Sequence, residues 1–404
     1  MDEKNTQKTC LSESDRSVVL SMKAVAQSKT ISKDWLVCRL LEIFYILSFF
    51  AFTYQYNINI LYASLLFVFI PRQRNKPILI GALAILILLV VPYFIIHDSR
   101  ASYRIAKTLA VFMPLFFMPV LERTRYRLSS FFHVFMVVNA WLVYIDFFLF
   151  FTTGRTIMHF TTTGILPRPC GLIEDSNFFS YLMVVYCIYR KRVTGLYSKF
   201  LLGSVVLSGS LSAVLMMLFL LLFYKVYKIS ELCARWRYVL GTALCISFYF
   251  CIVLFSENIV DYIRQLDVNE LVKFKSVSMI LRLQTQHEAL MYLLNHDPLC
   301  GVGAGLTTQL MTKGINLHNG YLQLFFEMGA LLLVPTIILI VSSMVFMRDA
   351  FYIPLFCVLL ILGNILDIVY FPLLSFVFFI SFTPSVSQIF VSDARSNVAH
   401  DLHR

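Results

Sequence analysis

The chain has 404 residues, of which 59% are hydrophobic and 14% are charged, and its formal net charge is +11 at pH 7. So large an apolar fraction excludes a soluble globular enzyme and indicates a polytopic membrane protein. The positive charge does not point to a nucleic-acid partner, because Lys and Arg are concentrated in the loops that we place on the cytoplasmic side.

The distribution of apolar residues divides the chain into three regions. Residues 1–34 are polar and rich in Ser and Lys, which predicts a disordered cytoplasmic tail without a cleavable signal peptide. A transmembrane helical domain is expected over 35–391, and a second cytoplasmic tail over 392–404.

Apolar segments predict an all-α fold, a polytopic integral membrane protein with about twelve transmembrane helices. The segments lie at 36–54, 58–70, 77–96, 105–121, 128–151, 177–189, 199–208, 211–225, 239–256, 318–346, 353–370 and 371–391. Short neighbours such as 199–208 and 211–225 either merge or break, so the expected number is roughly eleven to thirteen.

Loop charges orient the domain. With the N-terminus inside, the short connections rich in Lys and Arg all face the cytoplasm. They are 71–76, 122–127, 190–199, 225–238 and 347–349. The connections 152–176 and 257–317 then face outside, and the second is one large external loop near the C-terminal third. Within it, residues 276–296 have helical spacing, which predicts an amphipathic helix lying over the bundle.

A polar motif precedes the apolar segment at 318–346. Glycines at 301, 303 and 305 are followed by His318-Asn319 and then by the apolar run. An exposed helix N-terminus has unpaired N–H groups and the positive end of the dipole, so it can hold an anionic headgroup. Gln323 and Glu327 extend a polar stripe along one face of this helix. The alternative role for Asn319 is a plain N-cap.

This arrangement resembles the O-antigen polymerase and ligase superfamily, whose C-terminal half carries a Gly-rich segment, then His-Asn, then a helix with Glu-x-Gly. The matching residues are Gly301, Gly303, Gly305, His318-Asn319 and Glu327-x-Gly329, with further resemblance at Arg282 and at 168–177. Ligases of the superfamily usually place an arginine after a serine at the outer end of a middle helix. Here Leu211 stands in that position, which favours a polymerase.

The resemblance implies a membrane glycosyltransferase that polymerises oligosaccharide repeat units carried on polyprenyl diphosphate, at the outer face of the inner membrane. It implies His318 as the general base for the acceptor hydroxyl and Arg282 as a catalytic cation on the diphosphate. Substrate-binding roles are expected for other polar residues of the outer side, namely Arg168, Arg100, Arg104, Asn319 and Glu327. No metal ion or cofactor is required, because the diphosphate linkage stores the energy of transfer.

Two other functions stay open. A ligase, which transfers glycan to lipid A core or to protein, uses the same chemistry on a different acceptor. A multi-span transporter would carry a central cytoplasmic connection and broken helices in both halves, whereas the largest connection here is external and late. Expected partners of a polymerase are the lipid-linked oligosaccharide, the bilayer, a flippase and a chain-length regulator, and its product is O-antigen, capsule or exopolysaccharide.

Several charged residues also have structural interpretations. Arg100 and Arg104 flank a span, which favours contacts with lipid headgroups over a role in catalysis. Glu42 is expected in helix–helix contacts, whereas Asp146 and Asp367, toward the outer ends of their spans, are expected to face the bundle interior and are weaker candidates for lining the site.

Cysteines show no metal-ligand spacing, and most of the nine lie in apolar runs. Cys170 and Cys300 are the two placed outside the spans on the oxidising side, beside segments of the proposed site. One hypothesis is a disulfide that joins the two external loops; the alternative is two independent buried thiols.

We predict that reporters fused at Gly195 and Cys233 lie in the cytoplasm and that reporters fused at Thr162 and Asn269 lie outside, because of the Lys and Arg asymmetry. Two reporters, one active only in the cytoplasm and one active only outside, are fused at each position. Their activities measure the side of the membrane on which that position lies. Activity of the cytoplasmic reporter at Asn269 would overturn the orientation and with it an external site.

Overall fold

The architecture comes from a computed structural model that describes most of the chain from residue 127 to residue 382. The described residues are 35, 36, 38–40, 42, 43, 121, 127–158, 160–163, 166–173, 175–226, 232–265, 270–296, 298–303, 306–311, 317–366 and 371–382.

Helices account for nearly all regular structure in these ranges. In chain order the elements are α1 (Ser130–Thr153), β1 (Phe160–Thr163), β2 (Leu166–Pro169), α2 (Ser176–Thr194), α3 (Lys199–Leu207), α4 (Leu211–Val226), α5 (Leu232–Leu254), α6 (Ser256–Gln265), α7 (Glu270–Asn295), α8 (Thr307–Leu310), α9 (Gly320–Phe346), a 3-10 turn (Ala350–Tyr352), α10 (Ile353–Leu362) and α11 (Phe371–Ile380). The predicted helical fold is therefore confirmed, apart from one hairpin.

That hairpin corrects the all-α prediction. Strands β1 and β2 pair antiparallel within the external connection 152–176, and Thr161 lies opposite Arg168. β-Branched threonines in β1 favour an extended backbone, and Pro167 and Pro169 fix φ on either side of Arg168 in β2. A four-residue strand rich in proline is a weak sequence signal, which is why the pattern suggested only a loop.

Among the described residues, two helices are long and apolar enough to cross a membrane, Ser130–Thr153 and Arg235–Leu254, and a third candidate is the bent pair Gly320–Leu331 and Thr336–Phe346. The apolar segments at 58–70 and 77–96 lie outside the described residues. The predicted number of about twelve spans stays a prediction.

Helix α2 forms the centre of the bundle. Every side chain from Phe178 to Tyr189 is buried, and the helix contacts α3, α4 and α11. Helix α1 is apolar all round, and it buries one face while turning residues such as Trp141 and Phe148 outward. Because both faces are apolar, only packing tells the protein-facing side from the lipid-facing side.

One ion pair and one hydrogen bond join segments that the sequence places in the cytoplasm. Arg192 Nε, near the end of α2, lies 2.6 Å from Asp349 Oδ2 in the turn after α9. Arg235 Nη1, near the start of α5, donates to the carbonyl oxygen of Val345 at 2.6 Å. The three predicted inside connections therefore lie at one end of the bundle, while the side of the membrane that this end faces stays a prediction.

The predicted amphipathic helix at 276–296 is confirmed as part of α7, which packs on α5, α6 and α9. Leu283 and Leu290 are buried in a cluster with residues of α5 and α9, as the helical spacing indicated. Met279 and Leu294, one turn before Leu283 and one turn after Leu290, are exposed.

Helix α9 is interrupted at Gly329, and its two halves are bent by 117°. Residues 298–303, the inserted loop, fill the break. The N–H groups of Ala330 and Leu331 donate to the carbonyls of Pro298 and Leu299, and the N–H groups of residues 302 and 303 donate to the carbonyls of residues 326 and 327. The apolar segment predicted over 318–346 is therefore helical with a break, at which four bonds to the inserted loop replace helical bonds.

Two glycines make this close approach possible. Gly301 and Gly329 have φ of +71° and +67°, a region that L side chains rarely adopt. A Cβ on Gly329 would lie 2.0 Å from the carbonyl oxygen of Leu299, and a Cβ on Gly301 would lie 2.5 Å from the nitrogen of Gly329. Gly301 of the Gly-rich segment and Gly329 of the Glu-x-Gly pair therefore lie against each other where the two backbone segments cross.

We predict that Gly329→Ala lowers the free energy of unfolding by about 3 kcal/mol, because it combines a left-handed backbone with a collision against backbone atoms. Thermal unfolding of the purified protein in detergent measures the loss. Gly241→Ala, on the open face of α5 with no heavy atom within 4 Å of its added Cβ, is the matched control. That control should be neutral or stabilising by up to about 1 kcal/mol, and equal effects of the two changes would contradict the crossing.

Candidate functional site

His318 precedes α9 in an unusual backbone conformation. Its φ is +49°, the one positive value among the described non-glycine residues, and its side chain is half-buried. Asn319 follows as the N-cap, and its Oδ1 accepts from Leu322 N at 2.9 Å. The N-cap interpretation of Asn319 is therefore confirmed, and the cap fixes the start of α9 directly after His318.

Two further helices hold the same segment from outside. Gly320 N donates to the carbonyl oxygen of Gly363, at the end of α10, at 2.8 Å. Gln286 Nε2, from α7, donates to the carbonyl oxygen of Leu317 at 2.8 Å. His318 is thus flanked on both sides by bonds to different helices, and we name this region the His318 end of the bundle.

Arg282 belongs to the same end of the bundle. It lies on α7 one turn before Gln286, about 6 Å along the helix axis, and its side chain is exposed. Its guanidinium acts electrostatically on two phenols, Tyr249 of α5 and Tyr181 of α2. Helix α7 therefore carries Arg282 toward the segment that bears His318.

Arg168 extends from the hairpin to the start of α2 and to the turn between α3 and α4. Its Nη2 donates to Asn177 Oδ1 at 2.6 Å, and Ser210 Oγ donates to the same oxygen at 2.8 Å. Its Cγ lies 3.2 Å from where a Cβ of Gly209 would be, so the side chain packs on the turn between α3 and α4. The buried Nε has no hydrogen-bond partner among the described residues, which leaves a donor available for an anion.

The two arginines share a neighbour. The charges of Asp175, Arg282 and Arg168 all act on the phenol of Tyr181, which donates a hydrogen bond to Ser212 Oγ at 2.6 Å. Neither Arg168 nor Arg282 forms an ion pair with a carboxylate within the described ranges. Two cations from distant parts of the sequence and one carboxylate therefore act on the same phenol, and the surplus of positive charge suits a phosphate or diphosphate.

Glu327 lies deeper in the protein, with 2% of its surface exposed. Its Oε1 accepts from Thr307 Oγ1 at 2.6 Å and from Gln323 Nε2 at 3.2 Å. The carboxylate therefore ties α8 to the first half of α9, directly before the break at Gly329. The predicted polar stripe on α9 is real, and it faces the protein interior; a substrate-binding role for Glu327 stays a prediction.

Other predicted residues have structural contacts. Asp146 is buried, and its Oδ1 accepts from the N–H groups of Ile157 and Met158 after α1. Glu42 accepts from Ser129 N at 2.8 Å and pairs with Arg39, so its expected helix–helix role is confirmed. Three further predicted residues, Arg100, Arg104 and Asp367, lie outside the described residues.

Cys170 and Cys300 lie in different surroundings. Cys170 is buried and Cys300 is exposed, and neither forms a disulfide. The hypothesis that they pair is wrong, because one side chain lies in the core beneath the hairpin while the other projects from the inserted loop. Within the ranges that the structure describes, no group of three His, Cys, Asp or Glu side chains could hold a metal ion.

Several site residues had no clear sequence signal. Asn177 stands in the motif around Arg168, and its hydrogen bond to that arginine could have been guessed from their proximity in the chain. Gln286 and Tyr249 lie in apolar surroundings on different helices, so their contact depends on tertiary packing.

Comparison with known families supports the sequence resemblance. Residues 196–337 match the family model described as O-Antigen ligase. The matched range includes Arg282, His318 and Glu327, whereas Arg168 lies before it. No curated protein matches the chain. The match is consistent with the O-antigen polymerase and ligase superfamily, and the apolar helices are those of a membrane protein.

We predict that Thr307→Val lowers the free energy of unfolding by about 1–3 kcal/mol, because a buried carboxylate loses a hydrogen-bond donor. Thr336→Val is the matched control: Thr336 is equally buried, and its hydroxyl has no partner among the described residues. That change should be neutral or stabilising. Thermal unfolding in detergent compares the two variants, and an undisturbed Thr307→Val protein would argue against the Glu327 contact.

Proposed function

We propose that this chain, similar over residues 196–337 to O-antigen ligases, is a membrane glycosyltransferase that polymerises oligosaccharide units carried on polyprenyl diphosphate. The observation that carries the proposal is the hydrogen bond from Gln286 of α7 to Leu317, because α7 also bears Arg282 and Leu317 directly precedes His318. Arg168, whose buried Nε has no partner among the described residues, is proposed as a second anion-binding group.

The proposed reaction is a displacement at the sugar carbon attached to the diphosphate. A hydroxyl of the incoming unit attacks that carbon, and His318 accepts the hydroxyl proton. The carbon–oxygen bond to the diphosphate breaks, and the lipid diphosphate leaves with the electron pair. Arg282 and Arg168 stabilise the charge that develops on it, and their forked donors suit two phosphate oxygens.

Partial burial strengthens this arrangement. The Nε atom of Arg168 is buried, so a phosphate that it binds is shielded from water, and the attraction exceeds that of an exposed pair. Because the linkage to diphosphate stores the energy of transfer, the proposal requires neither a nucleotide sugar nor a metal ion. We place the reaction at the outer face of the inner membrane, where a flippase delivers units and a chain-length regulator sets their number.

Polymerase and ligase differ in the acceptor alone. The family description favours a ligase. The position where ligases usually carry an arginine is occupied by Leu211, the exposed first residue of α4, beside Ser210 of the Arg168 network. This lack of a cation leads us to propose the polymerase as the primary function. Surface glycan from a deletion strain separates the two, since one repeat per anchor indicates a polymerase and unattached lipid-linked polymer indicates a ligase.

We predict that His318→Asn abolishes long polymer, because loss of a general base costs about 10²–10⁴-fold in rate. Asn is a cleaner replacement than Ala, since it tolerates the left-handed backbone of this position. Arg282→Lys should also shorten the polymer, because a point charge cannot replace the forked contact. Glycan chain length is measured in a deletion strain that carries each variant at matched membrane abundance.

Matched controls accompany both changes. His296→Asn alters an exposed histidine whose Nδ1 bonds to the backbone of its own helix, and Arg155→Lys alters an exposed arginine after α1. Both controls should give normal polymer. Normal polymer from His318→Asn would contradict the proposed mechanism. Normal polymer from Arg282→Lys would show that position 282 needs only a positive charge and not the forked contact.

A further inference from the structure

A buried tyrosine–glutamine pair connects three elements at the His318 end of the bundle. Gln286, with no exposed surface, makes both of its hydrogen bonds to groups outside its own helix. Its Nε2 donates to Leu317 O at 2.8 Å, and its Oε1 accepts from the hydroxyl of Tyr249 at 3.1 Å. We propose that Tyr249 and Gln286 are positioning residues for His318, an inference that rests on the proposed function and deepens it.

The chemistry of the pair requires an amide. Leu317 presents a carbonyl oxygen, which needs a donor, and Tyr249 presents a hydroxyl, which needs an acceptor. One side chain at position 286 must therefore donate at one atom and accept at the other. Glutamine does both without charge, whereas leucine does neither and an ionised glutamate can only accept.

The backbone of His318 explains why such a pair is needed. A left-handed φ on a residue with a side chain is disfavoured, and it persists where the surroundings hold it. Asn319 and Gly320 are held on the C-terminal side by the helix cap and by Gly363. On the N-terminal side, the bond from Gln286 is the contact that fixes the carbonyl of Leu317. The pair therefore sets the direction in which the imidazole leaves the backbone.

The same contacts relate the base to the cation. Arg282 lies one turn before Gln286 on α7 and acts electrostatically on the Tyr249 phenol. A displacement of Gln286 would therefore change the spacing between Arg282 and His318. Helix α7 is also tied to α5 through His287 Nδ1 and Val253 O, which are 3.1 Å apart. Because this second contact remains, changes at position 286 need not detach the helix.

The test measures His318 directly in the purified full-length protein in detergent. Diethyl pyrocarbonate modifies accessible imidazoles, and mass spectrometry of peptides reports the modification rate of His318 and of the exposed His296 in one sample. Gln286→Leu and Tyr249→Phe should raise the rate at His318 by about fivefold, the scale of one lost hydrogen bond, and should leave His296 unchanged. Matched controls are Gln309→Leu and Tyr262→Phe, at exposed positions on α8 and α6.

A pH series on Gln286→Glu separates positioning from packing. A protonated carboxyl can donate to Leu317 O and accept from Tyr249, and burial favours that form. At each pH, the modification rate at His318 in Gln286→Glu is divided by the rate in wild type. This ratio should fall toward one as the pH is lowered from 8 to 5.5. Gln286→Leu should show no such recovery. A rate ratio for Gln286→Glu that does not change with pH would overturn the positioning role, as would a wild-type rate in Gln286→Leu.

Chain length in the complemented deletion strain keeps this inference distinct from the proposed function. Gln286→Leu should shorten the polymer by slowing each addition about tenfold. If His318→Asn leaves normal polymer, the proposed mechanism fails, whatever the modification rates show. If His318→Asn abolishes polymer while Gln286→Leu changes neither chain length nor the rate at His318, the positioning role alone fails.

Discussion

Backbone hydrogen bonding in an apolar environment is the constraint on which the rest of this structure depends. A helix in lipid satisfies its own N–H and C=O groups, and any break exposes groups that water cannot reach. Helix α9 breaks at Gly329, and the inserted loop supplies the missing donors and acceptors from residues 298–303. The break is therefore possible because a second segment of chain enters it.

The hydrogen bonds between the inserted loop and α9 also determine where the candidate site residues lie. They anchor the inserted loop against α9, and the Thr307–Glu327 bond fixes the following short helix to the same turn. The start of α9 is held separately, by the Asn319 cap, by Gly363 and by Gln286. His318 thus sits on a segment with both ends restrained, which suits the role of general base that we propose for it.

Opposite ends of the bundle carry different kinds of polar contact. At the end formed by the predicted cytoplasmic loops, Arg192 is paired with Asp349, so its charge is neutralised within the protein. At the His318 end, Arg168 is oriented by an uncharged amide, and its Nε points to no described partner. An arginine held by a neutral residue keeps its full charge for an anionic ligand, whereas an arginine held by a carboxylate does not.

The sequence by itself determined the membrane class, the helical content and the likeness to the O-antigen ligase family, because composition, local spacing and short motifs carry that information. The tertiary structure decided the hairpin that displays Arg168, the break at Gly329 and the Tyr249–Gln286 contact. Each of these depends on hydrogen bonds between residues far apart in the chain. Local patterns report how a residue suits its own helix or turn, whereas the partner that satisfies a buried polar group is selected only when distant segments pack.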